Sequence, residues 1–263
     1  MLTFTHTYLI LLAHRKTSSH SATIPDAELI LGNVVPDFVT HLGRDKFQAI
    51  AHNLSLFAEL KNKRKLDWGA LFHILCDNYT TLKRLTFNGN YHQYPRNGFI
   101  ESLSKDFDTS YLKKIPKRRI LQCAFDVLVI REERDVLVEM LTSAELFLRS
   151  HFDEILHHVA SVYEMEKDHL RVGIQRFSHV YGPDFIQKSS RSTYRLFPLI
   201  RSMLNLSSLT DPDIIFKEID AHPELMNLVE QHLKLIQSNW HELLEETVTE
   251  VLAFPDFPAG IFD

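Results

Sequence analysis

Hydrophobic positions recur with helical spacing along almost the whole chain, and strictly alternating segments of strand length are few. Only 8 glycines and 10 prolines interrupt this pattern. The sequence therefore predicts an all-α fold. Because we find no internal repeat and no low-complexity linker, we expect one helical domain over residues 1–263, built from about eight to ten helices of ordinary length.

The ends of the predicted helices follow from the apolar periodicity and from the proline and glycine breaks. The predicted helices lie at 3–16, 25–32, 66–87, 116–142, 144–165, 168–180, 190–206 and 222–252. The segment 33–37 contains Pro36 and is predicted to be a break between two helices. The segment 88–98 is rich in turn residues and forms either a lid or a plain connection.

Composition narrows the class of protein. Hydrophobic residues make up 44% of the chain, enough for a sizeable core, and the net charge of -5 argues against a general nucleic-acid binder. The two cysteines, Cys76 and Cys123, are predicted to be buried free thiols. The apolar stretch 8–13 is too short for a signal peptide, and no segment approaches the roughly 20 apolar residues of a membrane span. These features predict a cytoplasmic protein without a transmembrane segment.

Histidines and aspartates in the first third of the chain suggest a metal site. His73 and Asp77 are four residues apart, so on a helix an imidazole and a carboxylate face the same point. Asp37 and His52 would complete the four ligands of a tetrahedral ion, and His6 could begin a second site. Imidazole and carboxylate are ligands that Zn²⁺, Mn²⁺ and Fe²⁺ accept. Spacing alone leaves His41 open as a rival to His52.

Four segments carry a resemblance to a known family: residues 4–6, 31–37, 51–52 and 69–77. Together they resemble the zinc-dependent phospholipase C family, whose fold is shared with the fungal zinc nucleases, over roughly residues 4–80. The resemblance implies a first zinc at Asp37, His52, His73 and Asp77, and a second at His6 and Asp77. It favours His52 over His41, gives Asp37 a role as general base, and implies hydrolysis of phosphodiester or phospholipid substrates.

A third metal in that family needs another histidine and an HxxxE pair. Here His92 is the only histidine in the nearby stretch, and His241 with Glu245 form the one HxxxE match, which a solvated helix flank also explains. Asp126 lies in an apolar helix centre and is either a further ligand or the partner of a nearby arginine at 118, 119 or 131. His151, Glu154 and His158 share one helix face, and they either bind metal or are satisfied boundary groups.

Two classes of function remain open on the sequence. The first is a metal-dependent hydrolase of phosphoric esters, acting on a small-molecule or lipid substrate, with one or two ions of zinc as the expected cofactor. The second is a non-catalytic helical module with a residual structural metal site. Basic runs at 61–65 and 113–119 either attract phosphate or form solvated loop ends. The chain has no glycine-rich phosphate loop and no GxSxG motif.

Overall fold

The computed structural model describes residues 3–18, 23–40, 50–80, 117–181, 183, 230, 233–234, 236–255 and 257–262. Regular structure within these ranges is entirely helical, as the apolar periodicity predicts. The helices are α1 (Thr3–Thr17), α2 (Ala27–Thr40), α3 (Leu54–Ala58), α4 (Lys65–Tyr79), α5 (Lys117–Ser150), α6 (Phe152–Val162), α7 (Lys167–Tyr181), α8 (Trp240–Leu252) and the 3-10 helix Ala259–Phe262. Among these described helices, none has the length and apolar character needed to cross a membrane.

Helix α1 lies at the centre of the packing. It contacts α2, α4, α5 and α8, and its side chains from Thr3 to Leu11 are all buried. A helix that is buried on every side needs apolar or hydrogen-bonded side chains around its whole circumference. The threonines and histidines of α1 therefore need partners inside the core, and several of those partners define the site described below.

The predicted break at 33–37 is wrong, because α2 continues through Pro36 to Thr40. Proline removes one N–H donor and therefore one bond of the helix. Val34, Val35 and Phe38 on either side are buried. Burial of this segment against neighbouring helices offsets the lost bond, a contribution that a local proline signal does not contain.

Helix α2 and helix α4 cross at very short range, and two glycines make this possible. A Cβ atom added to Gly69 would lie 2.2 Å from the carbonyl oxygen of Leu29, and one added to Gly32 would lie 2.0 Å from that of Leu66. Neither position can hold a side chain without moving a backbone. Gly32, which as a sequence signal suggests the end of a helix, is instead a packing residue in its interior.

Other predicted boundaries shift. Helix α4 ends at Tyr79 instead of near Phe87, since Thr80 is already extended. The predicted junction between the helices 116–142 and 144–165 lies later, at His151, and α5 has a kink at Glu133. The predicted helix 222–252 is interrupted by a turn at 237–239. The predicted helix 190–206 and the segment 88–98 lie outside the described residues, whereas α3 was not predicted.

Candidate metal centre

Four of the predicted ligands lie together where α1 begins and α4 ends. His6 belongs to the first turns of α1, His52 to the turn before α3, and His73 and Asp77 to successive turns of α4. The ligand atoms of His6, His73 and Asp77 all lie within 4.8 Å of one another, and all three residues are buried. His52 contacts two of these three. The four residues are called the histidine-aspartate cluster below.

Asp77 turns its two oxygens toward different histidines. Its Oδ1 lies 3.1 Å from Nε2 of His6, whereas its Oδ2 lies 3.0 Å from Nε2 of His52 and 3.7 Å from Nε2 of His73. The Nε2 atoms of His52 and His73 are 3.3 Å apart. Two atoms that each lie about 2.0–2.1 Å from one tetrahedral zinc are separated by about 3.3 Å. The spacings therefore fit ligands around a shared cation, and the two oxygens allow Asp77 to bridge two cations.

The backbone of α2 sets the orientation of His73. The Nδ1 atom of His73 lies 2.7 Å from the carbonyl oxygen of Asn33. A carbonyl can only accept, so Nδ1 carries the proton and Nε2 keeps its lone pair toward Asp77. Metal-binding histidines are commonly fixed in this way. The close crossing of α2 and α4 at Gly32 and Gly69 supports this contact. Gly69 lies one turn before His73, and Gly32 immediately precedes Asn33.

Several buried polar atoms at the centre have no hydrogen-bond partner among the residues that the structure describes. They are Nδ1 of His6 and both side-chain polar atoms of Asn33. Nε2 of His6 and Oδ1 of Asp77 face each other as an ion pair at 3.1 Å. Buried polar groups are rarely left unpaired, because each one costs free energy. A cation bound between Nε2 of His6 and Oδ1 of Asp77 would replace this direct ion pair and contact both atoms. The donor set of the cluster thus fits a divalent metal ion.

Electrostatics at the cluster also suit a cation. Burial and the charge of His6 hold the pKa of His73 well below its usual value, which favours the neutral form that a ligand needs. Burial raises the pKa of Asp77, but the charges of His6 and His52 and the side-chain bonds from both histidines outweigh it and lower that pKa well below its usual value. Although burial lowers the pKa of His52, its bond to Asp77 raises it overall. A proton on His52 and a cation compete for Asp77.

Asp37 lies beside the cluster, and its described hydrogen bond goes elsewhere. Its Oδ2 accepts a hydrogen bond of 2.7 Å from the hydroxyl of Thr3, the first residue of α1. Burial raises the pKa of Asp37, while the bond from Thr3 and the charges of His6 and His52 act in the opposite direction. Within the described residues Asp37 is not in the group whose ligand atoms lie within 4.8 Å. Its role as a ligand stays a prediction.

Asp126 has a definite partner, which is not an arginine. Its Oδ1 accepts hydrogen bonds from the backbone N–H of Thr5 at 2.8 Å and from the Thr5 hydroxyl at 2.6 Å. Burial, partly offset by the two bonds from Thr5, raises the pKa of Asp126 to about 6. Arg131, one of the expected partners, pairs with Glu230 instead. The side chains of residues 118 and 119 lie outside the described part.

The predicted group of His151, Glu154 and His158 does not join the cluster. Nε2 of His158 lies 2.7 Å from Oδ1 of the fully buried Asp67 near the start of α4. Glu154 accepts a hydrogen bond from Arg64, and His151 is exposed. This contact agrees with the boundary alternative for His158, which supports the first turn of α4.

The remaining candidates fall into three groups. His241 and Glu245 are exposed on α8, in agreement with a solvated flank, and His241 stacks on Trp240. His41 and His92 lie outside the described residues, as do the side chains of the basic run 113–119. In the run 61–65, the side-chain hydrogen bonds described for Lys63 and Arg64 go to backbone carbonyls and to carboxylates of the chain itself.

Comparison of the chain with protein-family models, with curated proteins and with solved structures finds no match. The assignment of the cluster therefore depends on its own geometry and on the motifs of the sequence.

Sequence reasoning missed several polar residues that surround the cluster. These are Asn33, whose carbonyl orients His73, and the buried Thr3 and Thr5, which bind the two neighbouring carboxylates. One signal existed. Polar threonines at alternate positions of an otherwise apolar helix start require partners when the helix is buried, although the sequence does not say which partners.

Proposed function

We propose that the protein is a metal-dependent hydrolase of phosphoric esters, with one or two divalent ions held by the histidine-aspartate cluster. The supporting observation is the convergence of His6, His73 and Asp77 within 4.8 Å in the interior, with His52 against two of them. Imidazole nitrogens and a carboxylate are a donor set that zinc commonly takes. Zinc is therefore the proposed ion.

The chain's own residues would contribute positioning and proton transfer. A divalent ion, when bound, lowers the pKa of a coordinated water toward about 7 and stabilises negative charge on phosphoryl oxygens. His73 is kept neutral and aimed by Asn33, and Asp77 supplies negative charge to both sides of the cluster. The resemblance to zinc-dependent phospholipase C makes Asp37 the proposed general base, and burial raises the pKa of this carboxyl.

Access to the cluster is on the side of His52. Its side chain is 24% exposed, whereas those of His6 and His73 are 1% exposed. A substrate would therefore approach past His52. The substrate class follows from the resemblance of residues 4–80 to zinc-dependent phospholipase C, and we propose a phosphodiester, with the headgroup bond of a phospholipid as one form of it.

We expect zinc-loaded protein to hydrolyse an activated phosphodiester such as bis(4-nitrophenyl) phosphate, and the variant His73→Ala to lose the activity. The substitution removes a proposed metal ligand. It also leaves empty the space of the imidazole, which lies one turn after Gly69 and against the carbonyl of Asn33. Release of 4-nitrophenol at saturating zinc measures the reaction. The exposed His157, changed to alanine, is the matched control. No hydrolysis of phosphomonoesters or phosphodiesters, or equal rates in parent and His73→Ala, would refute the proposal.

A second candidate function is a helical module in which the metal is only structural. The observation that favours it is the origin of the cluster in three segments, α1, the turn before α3, and α4, together with the burial of three of its members. An ion bound there would tie these segments to one another. Structural zinc sites are closed, whereas catalytic sites keep an open coordination position.

Treatment with a chelator distinguishes a protein with a structural metal ion from a protein that binds no metal. We expect removal of a bound ion by a chelator to lower the melting temperature by several degrees, because a ligand bound only by the folded state stabilises it. Calorimetry before and after verified metal removal, with zinc added back, measures the shift. An unchanged melting temperature would contradict a structural role, and a shift without any hydrolysis would favour the second candidate over the first.

A further inference from the structure

Asp126 is a buried carboxylate in an apolar environment. It is 6% exposed, and the other residues from 124 to 130 on α5 are apolar and buried. An ionisable group in such a place costs free energy unless it forms good hydrogen bonds. Among the described contacts, both of its hydrogen bonds go to one residue, Thr5 of α1.

These bonds attach the first turn of α1 to α5. The first N–H groups of a helix have no carbonyl partner within the helix. The N–H of Thr5 belongs to this set, because α1 begins at Thr3. A carboxylate from another helix thus acts as the cap, which the positive end of the helix dipole also favours. The bond from the Thr5 hydroxyl to the same oxygen fixes the side chain as well.

The next residue is His6, whose Nδ1 has no hydrogen-bond partner among the described residues. Its imidazole nevertheless lies with Nε2 3.1 Å from Oδ1 of Asp77 and with its ring centre 4.0 Å from that of His73. His73, by contrast, is oriented by the carbonyl of Asn33. The place of His6 therefore depends on the position of the backbone that carries it.

We propose that Asp126 is a positioning residue of the metal centre, which holds the backbone of Thr5 and thereby directs His6 toward Asp77. The inference depends on the proposed metal binding at the cluster, and it gives Asp126 no direct contact with the metal. What Thr5 requires is an acceptor oxygen at this position. Asparagine supplies that oxygen without the negative charge, whereas alanine supplies neither the oxygen nor the charge.

Zinc affinity of the full chain tests this, measured by competition with a chromophoric chelator for the parent, Asp126→Ala and Asp126→Asn. We expect Asp126→Ala to bind zinc about 10–100-fold more weakly, the usual effect of removing a group that orients a ligand. We expect Asp126→Asn to bind within about 3-fold of the parent, since its amide oxygen can accept both hydrogen bonds. Asp135→Ala, an exposed carboxylate on the same helix, is the control.

The visible absorption of bound Co²⁺ gives a second measurement that a general loss of stability would not change. The spectrum should change in Asp126→Ala, because His6 leaves the coordination sphere, and return to that of the parent in Asp126→Asn. Thr5→Val, which removes only the hydroxyl donor, should weaken zinc binding by about 5-fold, and Thr5→Ser should restore it. This pair provides the test if Asp126→Ala does not fold.

Three results would overturn the inference. In the first, Asp126→Ala has a lower melting temperature but the zinc affinity and cobalt spectrum of the parent. In the second, Asp126→Asn binds as weakly as Asp126→Ala, so that the charge matters and the acceptor does not. In the third, Thr5→Val binds like the parent. A parent protein that takes up no metal would instead overturn the proposed function and this inference together.

Discussion

Replacement of Asp77 with asparagine is expected to abolish metal binding at the histidine-aspartate cluster. Both oxygens of Asp77 face histidine nitrogens, Oδ1 toward His6 and Oδ2 toward His52 and His73. Asparagine removes the negative charge and turns an NH₂ group, which cannot bind a cation, toward one of these directions. Removal of a group that only orients a metal ligand weakens metal affinity about 10–100-fold. Asp77 is itself a proposed ligand, so we expect its replacement to weaken zinc affinity by more than about 100-fold.

Isothermal titration with zinc measures this effect, with circular dichroism to show that the variant remains helical. Asp135→Asn, an exposed carboxylate on α5, is the matched control and should bind like the parent. If Asp77→Asn bound zinc within a few-fold of the parent, the metal would lie elsewhere and the cluster would be a buried ion-pair network.

Replacement of Gly69 with alanine is expected to destabilise the fold and the centre together. In a helix this change is ordinarily stabilising by about 1 kcal/mol. Here the new Cβ atom would lie 2.2 Å from the carbonyl oxygen of Leu29 and 2.7 Å from the backbone nitrogen of Asn33. Since both atoms belong to the backbone of α2, the helices must separate. We expect the free energy of unfolding to fall by about 3 kcal/mol, near the upper end for overpacked cores.

Chemical denaturation measures the change, and zinc affinity should fall as well, because the carbonyl that orients His73 moves with α2. Gly260→Ala is the control, since a Cβ atom there has nothing within 4 Å and stability should stay within about 0.5 kcal/mol of the parent. A Gly69→Ala variant as stable as Gly260→Ala would show that α2 and α4 do not cross as closely as described.

The apolar periodicity and the local start and stop signals predicted two of the helices closely. Residues 3–16 and 168–180 agree with α1 and α7 to within one residue at each end. The errors occur where tertiary packing decides. Pro36 and Gly32 are the usual signals of a helix end, yet α2 passes through both because burial against α4 and α5 outweighs the local cost.

In the candidate site, too, local sequence signals identified some residues and missed those whose role depends on tertiary contacts. The spacing of His73 and Asp77 on one helix is visible in the sequence, and the motifs placed His6 and His52 beside them. The polar groups around these residues come from distant segments, and the sequence does not indicate which partners they take. Thr5 and Asp126 are 121 positions apart, and His73 lies 40 positions from Asn33, which offers only its backbone carbonyl. Any residue type has such a carbonyl, so no motif could have identified this contact.

The central claim is that His6, His52, His73 and Asp77 hold a divalent ion. Crystals of zinc-loaded protein, with diffraction recorded on both sides of the zinc absorption edge, test it most directly. The account predicts an anomalous peak about 2.0–2.2 Å from Nε2 of His73 and from a carboxylate oxygen of Asp77, with His52 or His6 completing the contacts. Zinc peaks only at surface residues, with the cluster closed by hydrogen bonds among its own side chains, would contradict it.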